Sequence, residues 1–371
     1  MAPVQLKAKF QYPVHLGFKT DLDSISAEMV SLGSENSIQS IRANYQGKRQ
    51  DAVPLHWFHK PEFQVYQTKH LSIITDFDLK KSAAEIRQFQ LDRIDAFLSE
   101  QLGPLQHERL MIDSRQYKLN PVYGLNQLPD FFNPFPAGFD QELAFIKLIS
   151  DQYLKRTLAI NLRDHYWIRA GIQIYLLQEY VKRHYPNQKL LGSISRWPIV
   201  RWSMLSDLDF NAQYRLVYLN GVRNNVHQPL GTSKDELINF NAKISNEYLA
   251  GVHMNLLDQY LGKDTLKQRL KRLWSQNKRM INPDTFERIL SDGEEDLSWY
   301  FKSFVNERTS NDFKISEVIS RGDSLAVTLI NKGKSNSPVP LSRYFNDTIS
   351  GTIWTPPFEG KVTVSIPKYQ T

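Results

Sequence analysis

The sequence predicts an α+β protein: a mostly helical middle flanked by a β-rich N-terminal region and a C-terminal β-sandwich. Three observations carry this. Residues 1 to about 75 alternate apolar and polar side chains between Gly, Pro and Asp, the period of half-buried strands. From 76 to 305 apolar residues recur at three- and four-residue spacing, which is the helical period. From 312 to 371 the period of two returns in short runs at sandwich spacing. The domain boundaries read this way are 1–75, 76–305 and 312–371.

In chain order, FQYPVHLGF, SIQSIRANY, EFQVYQT and HLSIITDF are the N-terminal strands. A helix over Ser82–Leu102 puts Ile86, Phe89, Ile94, Phe97 and Leu98 on one face, and Gly103-Pro104 stops it. HERLMIDSR reads as a strand, and Asn120-Pro121 opens a loop. Helices are expected over Asp140–Ile160, Asp164–Tyr185, Asn211–Asn225, Lys234–Tyr260, Lys263–Trp274, Pro283–Leu290 and Glu295–Val305. Asp264 and Asp284 suit helix starts, where a carboxylate caps free backbone N–H groups. FKISEVIS, SLAVTLINK, PVPLSRYF, TISGTIWT and KVTVSIP are the terminal strands.

The 371 residues suffice for two or three domains. At 41% hydrophobic and 12% aromatic the chain is globular rather than disordered. No run of eighteen apolar residues exists, so no membrane span is expected. The first residues carry no apolar signal-peptide stretch. The compartment stays open, with export or a periplasmic place as part of a longer precursor among the options. Zero cysteines exclude disulfides and thiolate metal sites. The net charge is +7. The basic run Lys267–Arg272 sits at helical spacing with no recognition module around it, so it reads as a solvated helix face and no nucleic-acid partner is expected. No G-x-S-x-G, P-loop or dinucleotide fingerprint is present. Glu294-Glu295-Asp296 reads as a helix-start cap and dipole complement rather than an acid/base pair.

One stretch stands apart. Lys147-Leu148-Ile149-Ser150-Asp151 is followed by eighteen residues and then by Ala170, inside Trp167-Ile168-Arg169-Ala170-Gly171. Downstream come Tyr248-Leu249-Ala250-Gly251, and upstream Gly124-Leu125-Asn126-Gln127-Leu128. This layout resembles the gluzincin, thermolysin-like aminopeptidase N family, in a divergent bacterial form. There the pattern is H-E-x-x-H, eighteen residues, then E inside W-x-x-E-G, with a Y-x-K-G segment and a G-x-M-E-N strand. The resemblance spans about residues 70 to 305, and the tail is similar to the family's β-sandwich appendage.

The resemblance implies a zinc site whose two His lie one turn apart on one helix, with a Glu on the next helix as third ligand. The Glu beside the first His activates water, and a Tyr stabilises the oxyanion. Residue by residue, Lys147 and Asp151 take the two His places, Leu148 the general-base place and Ala170 the third-ligand place. Tyr248 takes the place of the oxyanion Tyr. Gln127 stands where a Glu holds the substrate amine, and Gly124, Leu125, Asn126 and Trp167 belong to the cleft.

The chemistry at those places differs. A protonated Lys has no lone pair for a metal. A lone carboxylate does not hold zinc, and Leu148 cannot accept a proton from water. The expectation is a non-catalytic scaffold binding peptide or protein, with no cofactor. The alternative is an active zinc aminopeptidase with displaced ligands, the best set being Asp151, Asp164 and His165. A third reading is an interaction module with a vestigial cleft. Lys147 and Asp151 are i and i+4, the spacing at which opposite charges meet, so Lys147 is expected to fill the metal's volume and pair with Asp151. The plain alternative has both facing solvent. His56 and His59, three apart, are expected to be surface or packing side chains, and His107-Glu108 starts no H-E-x-x-H.

Overall fold

The computed structural model describes strands at residues 4–10, 16–19, 24–31, 39–46 and 56–59. It further describes residues 64–77, 84–105, 108–122, 133–136, 138–275, 280–293, 295–309, 311–345 and 348–368. The chain separates into two compact units, residues 1–153 and 154–371.

The first unit opens with β1 (Val4–Phe10), β2 (Leu16–Lys19), β3 (Ser24–Ser31), β4 (Gln39–Gln46) and β5 (His56–His59). β4 lies between β1 and β3, and β2 pairs with β5, all antiparallel. Next come β6 (Gln64–Gln67), β7 (Leu71–Thr75), α1 (Ala84–Leu102) and β8 (Glu108–Ile112). β6 and β7 form a hairpin, while β7 and β8 run parallel, which the crossover through α1 allows. Leu71, Ile73, Leu110 and Ile112 of the sheet and Leu91, Ile94, Phe97 and Leu98 of α1 form the core.

The buried stripe of α1 is rotated from the one expected at its start. Ile86 and Phe89 are 50% and 62% exposed, and Arg87 and Gln90 are buried instead. Hydrogen bonds decide this. Arg87 Nε donates to the Tyr66 hydroxyl at 2.6 Å, and Gln90 Nε2 to the Gly138 carbonyl at 3.1 Å. Two further helices follow, α2 (Ser114–Leu119) and α3 (Phe139–Thr157). α2 has six residues, too few for a periodic signal. Asp113 starts it by accepting the Arg115 and Gln116 N–H groups at 2.9 Å each. Arg93 of α1 pairs with the fully buried Glu142 of α3.

The second unit is helical, then β. Its helices are α4 (Tyr166–His184), α5 (Pro198–Arg201), α6 (Ala212–Arg223), α7 (Asn246–Leu261), α8 (Thr265–Ser275), α9 (Pro283–Ser291) and α10 (Ser298–Tyr300). A short parallel pair, β9 (Ala159–Ile160) and β10 (Met280–Ile281), ties the start to the middle. The helix expected over 234–260 starts late: it begins at residue 239, passes through a π-helical stretch at Asn241–Ser245 and runs on without a break into α7. The Gln228 side chain accepts the Ile238 N–H at 2.9 Å and the Asn241 amide at 2.8 Å. These bonds tie the first turn of that helix to the loop that precedes it. Two helix starts also differ from expectation. Asn282, not Asp284, caps α9 by accepting the Thr285 N–H at 2.8 Å. Asp264 has φ +58°, left-handed rather than the extended conformation of a capping residue.

The tail is a two-sheet sandwich. β11 (Phe313–Arg321), β12 (Ser324–Asn331) and β15 (Lys361–Pro367) form one antiparallel sheet, and β13 (Pro340–Phe345) with β14 (Thr348–Trp354) the other. Val327, Leu329 and Ile366 meet Phe358, Leu341 and Ile353 in its core. Trp354 packs edge-on against Tyr260 of α7, ring centres 5.4 Å apart.

Candidate functional site

The sequence-predicted positions fall in both units. Lys147, Leu148 and Asp151 lie on α3 in the first. Lys147 is only 4% exposed, and a buried ammonium is costly unless oxygens receive its protons. Its Nζ donates to Asn120 Oδ1 and to the Pro121 carbonyl, both at 2.9 Å. Both acceptors come from the end of α2, which the sequence reading did not link to Lys147. The reading in which Lys147 faces solvent is therefore wrong. Leu148 is buried, 6% exposed. Asp151 is the only carboxylate of the three. This donor set, an engaged ammonium, an alkyl chain and one carboxylate, does not fit zinc. Gly124, Leu125, Asn126 and Gln127, with Tyr123 and His107, lie outside the described residues, as do the side chains of His56 and His59.

Ala170, Trp167 and Tyr248 belong to the second unit. Ala170 presents a buried methyl group and no donor atom. Trp167, expected in the cleft, is fully buried. It stands edge-on to Phe286 and Phe301, ring centres 5.8 and 6.3 Å away. It is a core side chain, because α4 is buried on nearly every face and leaves its first turn no open side. Tyr248, at the start of α7, is 4% exposed and edge-on to Tyr214 of α6 at 4.7 Å.

The two motif glycines share one structural cause. A Cβ on Gly171 would sit 3.3 Å from the Ala250 carbonyl oxygen, and one on Gly251 would sit 2.2 Å from Ile174 Cγ2. Gly171 and Ile174 are on α4; Ala250 and Gly251 are on α7. The W-x-x-x-G and Y-x-x-G segments thus mark the closest approach of two helices, where only small residues fit.

Several of the remaining acids and histidines have structural partners. Asp164 accepts from Asn161 Nδ2 at 2.7 Å, and His165 precedes α4 without a capping bond. Among the described residues no group of three or more His, Asp or Glu is placed to hold a metal ion. Glu295 pairs with Arg269. Asp296 accepts the Ser298 N–H at 2.9 Å, and its hydrogen bonds to Ser298 hold its carboxyl below the usual range. This matches the capping role expected of that run. His70 binds the buried Asp95 of α1 at 3.2 Å. His253 of α7 stacks on Phe304 at 3.9 Å, and burial pushes its pKa down to about 3.

A concave site does exist in the second unit. A cavity of about 490 Å³ opens between α4, α6 and α7, lined by Gln178, Asp209, Arg215, Val252, Asn255 and Gln259 among others. This is within the size range of ligand pockets. Its polar groups are amides and a few charges. These suit recognition through hydrogen bonds. Close by on the α4–α7 seam, Asp258 and Tyr175 are hydrogen-bonded, and burial followed by the neighbouring Glu179 raises the Asp258 pKa.

No family model and no curated protein matches the chain. Solved structures do match. Aminopeptidase A of Legionella pneumophila, in complex with aspartic acid, superposes with a TM-score of 0.55 at 10% identity, over 100% of this chain and 42% of that one. The M1 zinc metallopeptidase from Deinococcus radiodurans gives 0.47 at 14% identity, over 82% and 64%. The fold is similar to that of the Legionella aminopeptidase. Native yeast LTA4 hydrolase gives 0.44 at 8% identity, over 82% of this chain and 47% of that one. The chain thus spans 42% to 64% of the length of these structures.

Proposed function

We propose that this chain is a non-catalytic member of the M1-type fold that holds a peptide or a segment of another protein. The observation that carries the non-catalytic half is Lys147. A buried ammonium already satisfied by Asn120 and Pro121 repels a divalent cation rather than binding it. Leu148 beside it has no proton-accepting atom, so a borrowed metal would still lack its base. In this reading residues 76–305 are the peptidase-like body and 312–371 an appended β-sandwich. The degenerate positions are Lys147, Leu148, Asp151 and Ala170, with Tyr248 at the oxyanion Tyr position.

The binding half rests on the cavity between α4, α6 and α7. Asn255 and Gln259 on α7 and Gln178 on α4 line it, and side-chain amides offer the donor and acceptor pair that a peptide main chain needs. The test is twofold. Aminoacyl fluorogenic substrates are expected to give no chelator-sensitive hydrolysis, with or without added zinc. Peptide-library binding is expected to weaken when Arg215 and Asn255 are changed to Ala together. Hydrolysis abolished by a chelator overturns the reading in favour of an active zinc aminopeptidase. Binding indifferent to the double change moves the function to the β-domains.

A further inference from the structure

The stretch between α4 and α6 carries five large apolar side chains turned to solvent within nine residues. Ile199 is 90% exposed, Met204 89% and Trp202 88%, and Trp197 and Leu205 are about half exposed. The local structure explains the rigidity of this outward display. Pro198 begins α5. Three serine hydroxyls bond backbone carbonyls within the segment: Ser195 to Gly192 at 2.7 Å, Ser203 to Val200 at 2.7 Å and Ser206 to Ser203 at 2.8 Å. Those bonds satisfy carbonyls of the segment from within, and Ile199, Trp202 and Met204 face solvent. Isolated exposed apolar residues are ordinary, but a contiguous group of this size marks a contact surface.

Charge identifies the kind of surface. From Tyr180 to Ser206 there is no Asp or Glu, against five Lys and Arg: Lys182, Arg183, Lys189, Arg196 and Arg201. Lys182 is paired with Glu179, and Lys189 with Asp209. Arg196 and Arg201, which bracket the apolar turn and are exposed, have no acidic partner among the described residues. The whole chain is +7. Two Trp between two Arg, with aliphatic side chains at the tip, is the composition that seats in a headgroup layer. There the indole rings occupy the interface and the guanidinium groups meet lipid phosphates. Ile199, Trp202 and Met204, each about nine-tenths exposed, leave this segment unpacked on its outer side, whereas the core of a protein interface is packed.

We propose that the turn over residues 196–205 is a peripheral contact for an anionic phospholipid surface, inserting Trp197, Ile199, Trp202 and Met204 without spanning the bilayer. The test uses the full chain with vesicles of phosphatidylcholine alone and of phosphatidylcholine mixed with phosphatidylglycerol, read by co-sedimentation and by the blue shift of Trp emission. Binding to the anionic vesicles only, weakened by salt, is expected. Changing Ile199 and Trp202 to Glu together is expected to reduce partitioning about tenfold or more. Changing Arg196 and Arg201 to Gln is expected to reduce it by about thirtyfold, at roughly 1 kcal/mol per basic residue. All four side chains are exposed, so the fold is unaffected, as an unchanged circular dichroism spectrum will show. Absence of binding to anionic vesicles overturns the proposal, as does binding that neither double change alters. So does a change at Ile199 and Trp202 that turns an oligomer into a monomer and leaves vesicle binding intact, which would make the turn a contact between copies.

Discussion

Gly251 of α7 faces Ile174 of α4 so closely that a single added carbon would lie 2.2 Å from Ile174 Cγ2 and 2.4 Å from its Cβ. Both positions are buried. A helical Gly replaced by Ala ordinarily gains up to about 1 kcal/mol. Here the sign reverses, because neither atom of Ile174 lies at the end of a flexible chain. Gly251→Ala is expected to cost about 2 kcal/mol net by overpacking. Adding Ile174→Ala should recover part of that loss relative to Ile174→Ala alone. Urea denaturation of the three variants checks both statements.

The bonds to Lys147 predict a coupling. Asn120→Ala removes one of the two oxygens receiving the ammonium protons, and hydrogen bonds to charged groups are worth about 1.5–3 kcal/mol. In a Lys147→Met background the same change should cost little. A double-mutant cycle is therefore expected to give an interaction of about 1.5 kcal/mol or more, and an interaction near zero would show that Asn120 does not hold Lys147.

The fold was readable in the sequence where periodicity had room to repeat, and less so where single polar contacts decide. The β–α–β texture is visible in runs such as SLAVTLIN and in the long α4 pattern. α2 is too short to show a period and exists because Asp113 caps it. The late start of the helix that runs into α7 comes from Gln228, which accepts the Ile238 N–H and the Asn241 amide, information that no local pattern carries. At the candidate site burial sets roles that spacing alone does not show. Trp167 belongs to the core, not to a cleft wall, and Lys147 is held by a segment 26 residues earlier. The cavity lined by Asn255 and Gln259 left no sequence signal, because scattered polar residues on three helices look like a solvated surface.

Burial of His253 makes stability fall in mild acid. Its folded-state pKa lies near 3, below the ordinary 6.5, because desolvation disfavours the charged ring. A His with a depressed folded pKa contributes stability above its unfolded pKa, and that stability is lost as pH falls from about 6.5 toward 3. The unfolding free energy is expected to fall as pH is lowered through that window. His253→Phe, which preserves the stack on Phe304, should flatten that limb of the pH–stability curve.

Asp258 gives the opposite sign. Burial, and then Glu179, raise its folded pKa, so its stabilising share is present below the unfolded carboxyl pKa and is lost as pH rises through the folded one. Asp258→Asn, which can still accept a hydrogen bond from Tyr175, is expected to raise the thermal midpoint at pH 7 and to leave it nearly unchanged at pH 3.

The central claim is that an M1-type fold here works without its metal. The most direct measurement is the zinc content of the pure full chain, stripped with chelator, equilibrated with excess zinc and desalted, then read by elemental analysis. The account predicts far less than one zinc per chain, with no shift of the thermal midpoint on adding zinc. About one zinc per chain, bound tightly enough to survive desalting and lost again with chelator, would contradict it.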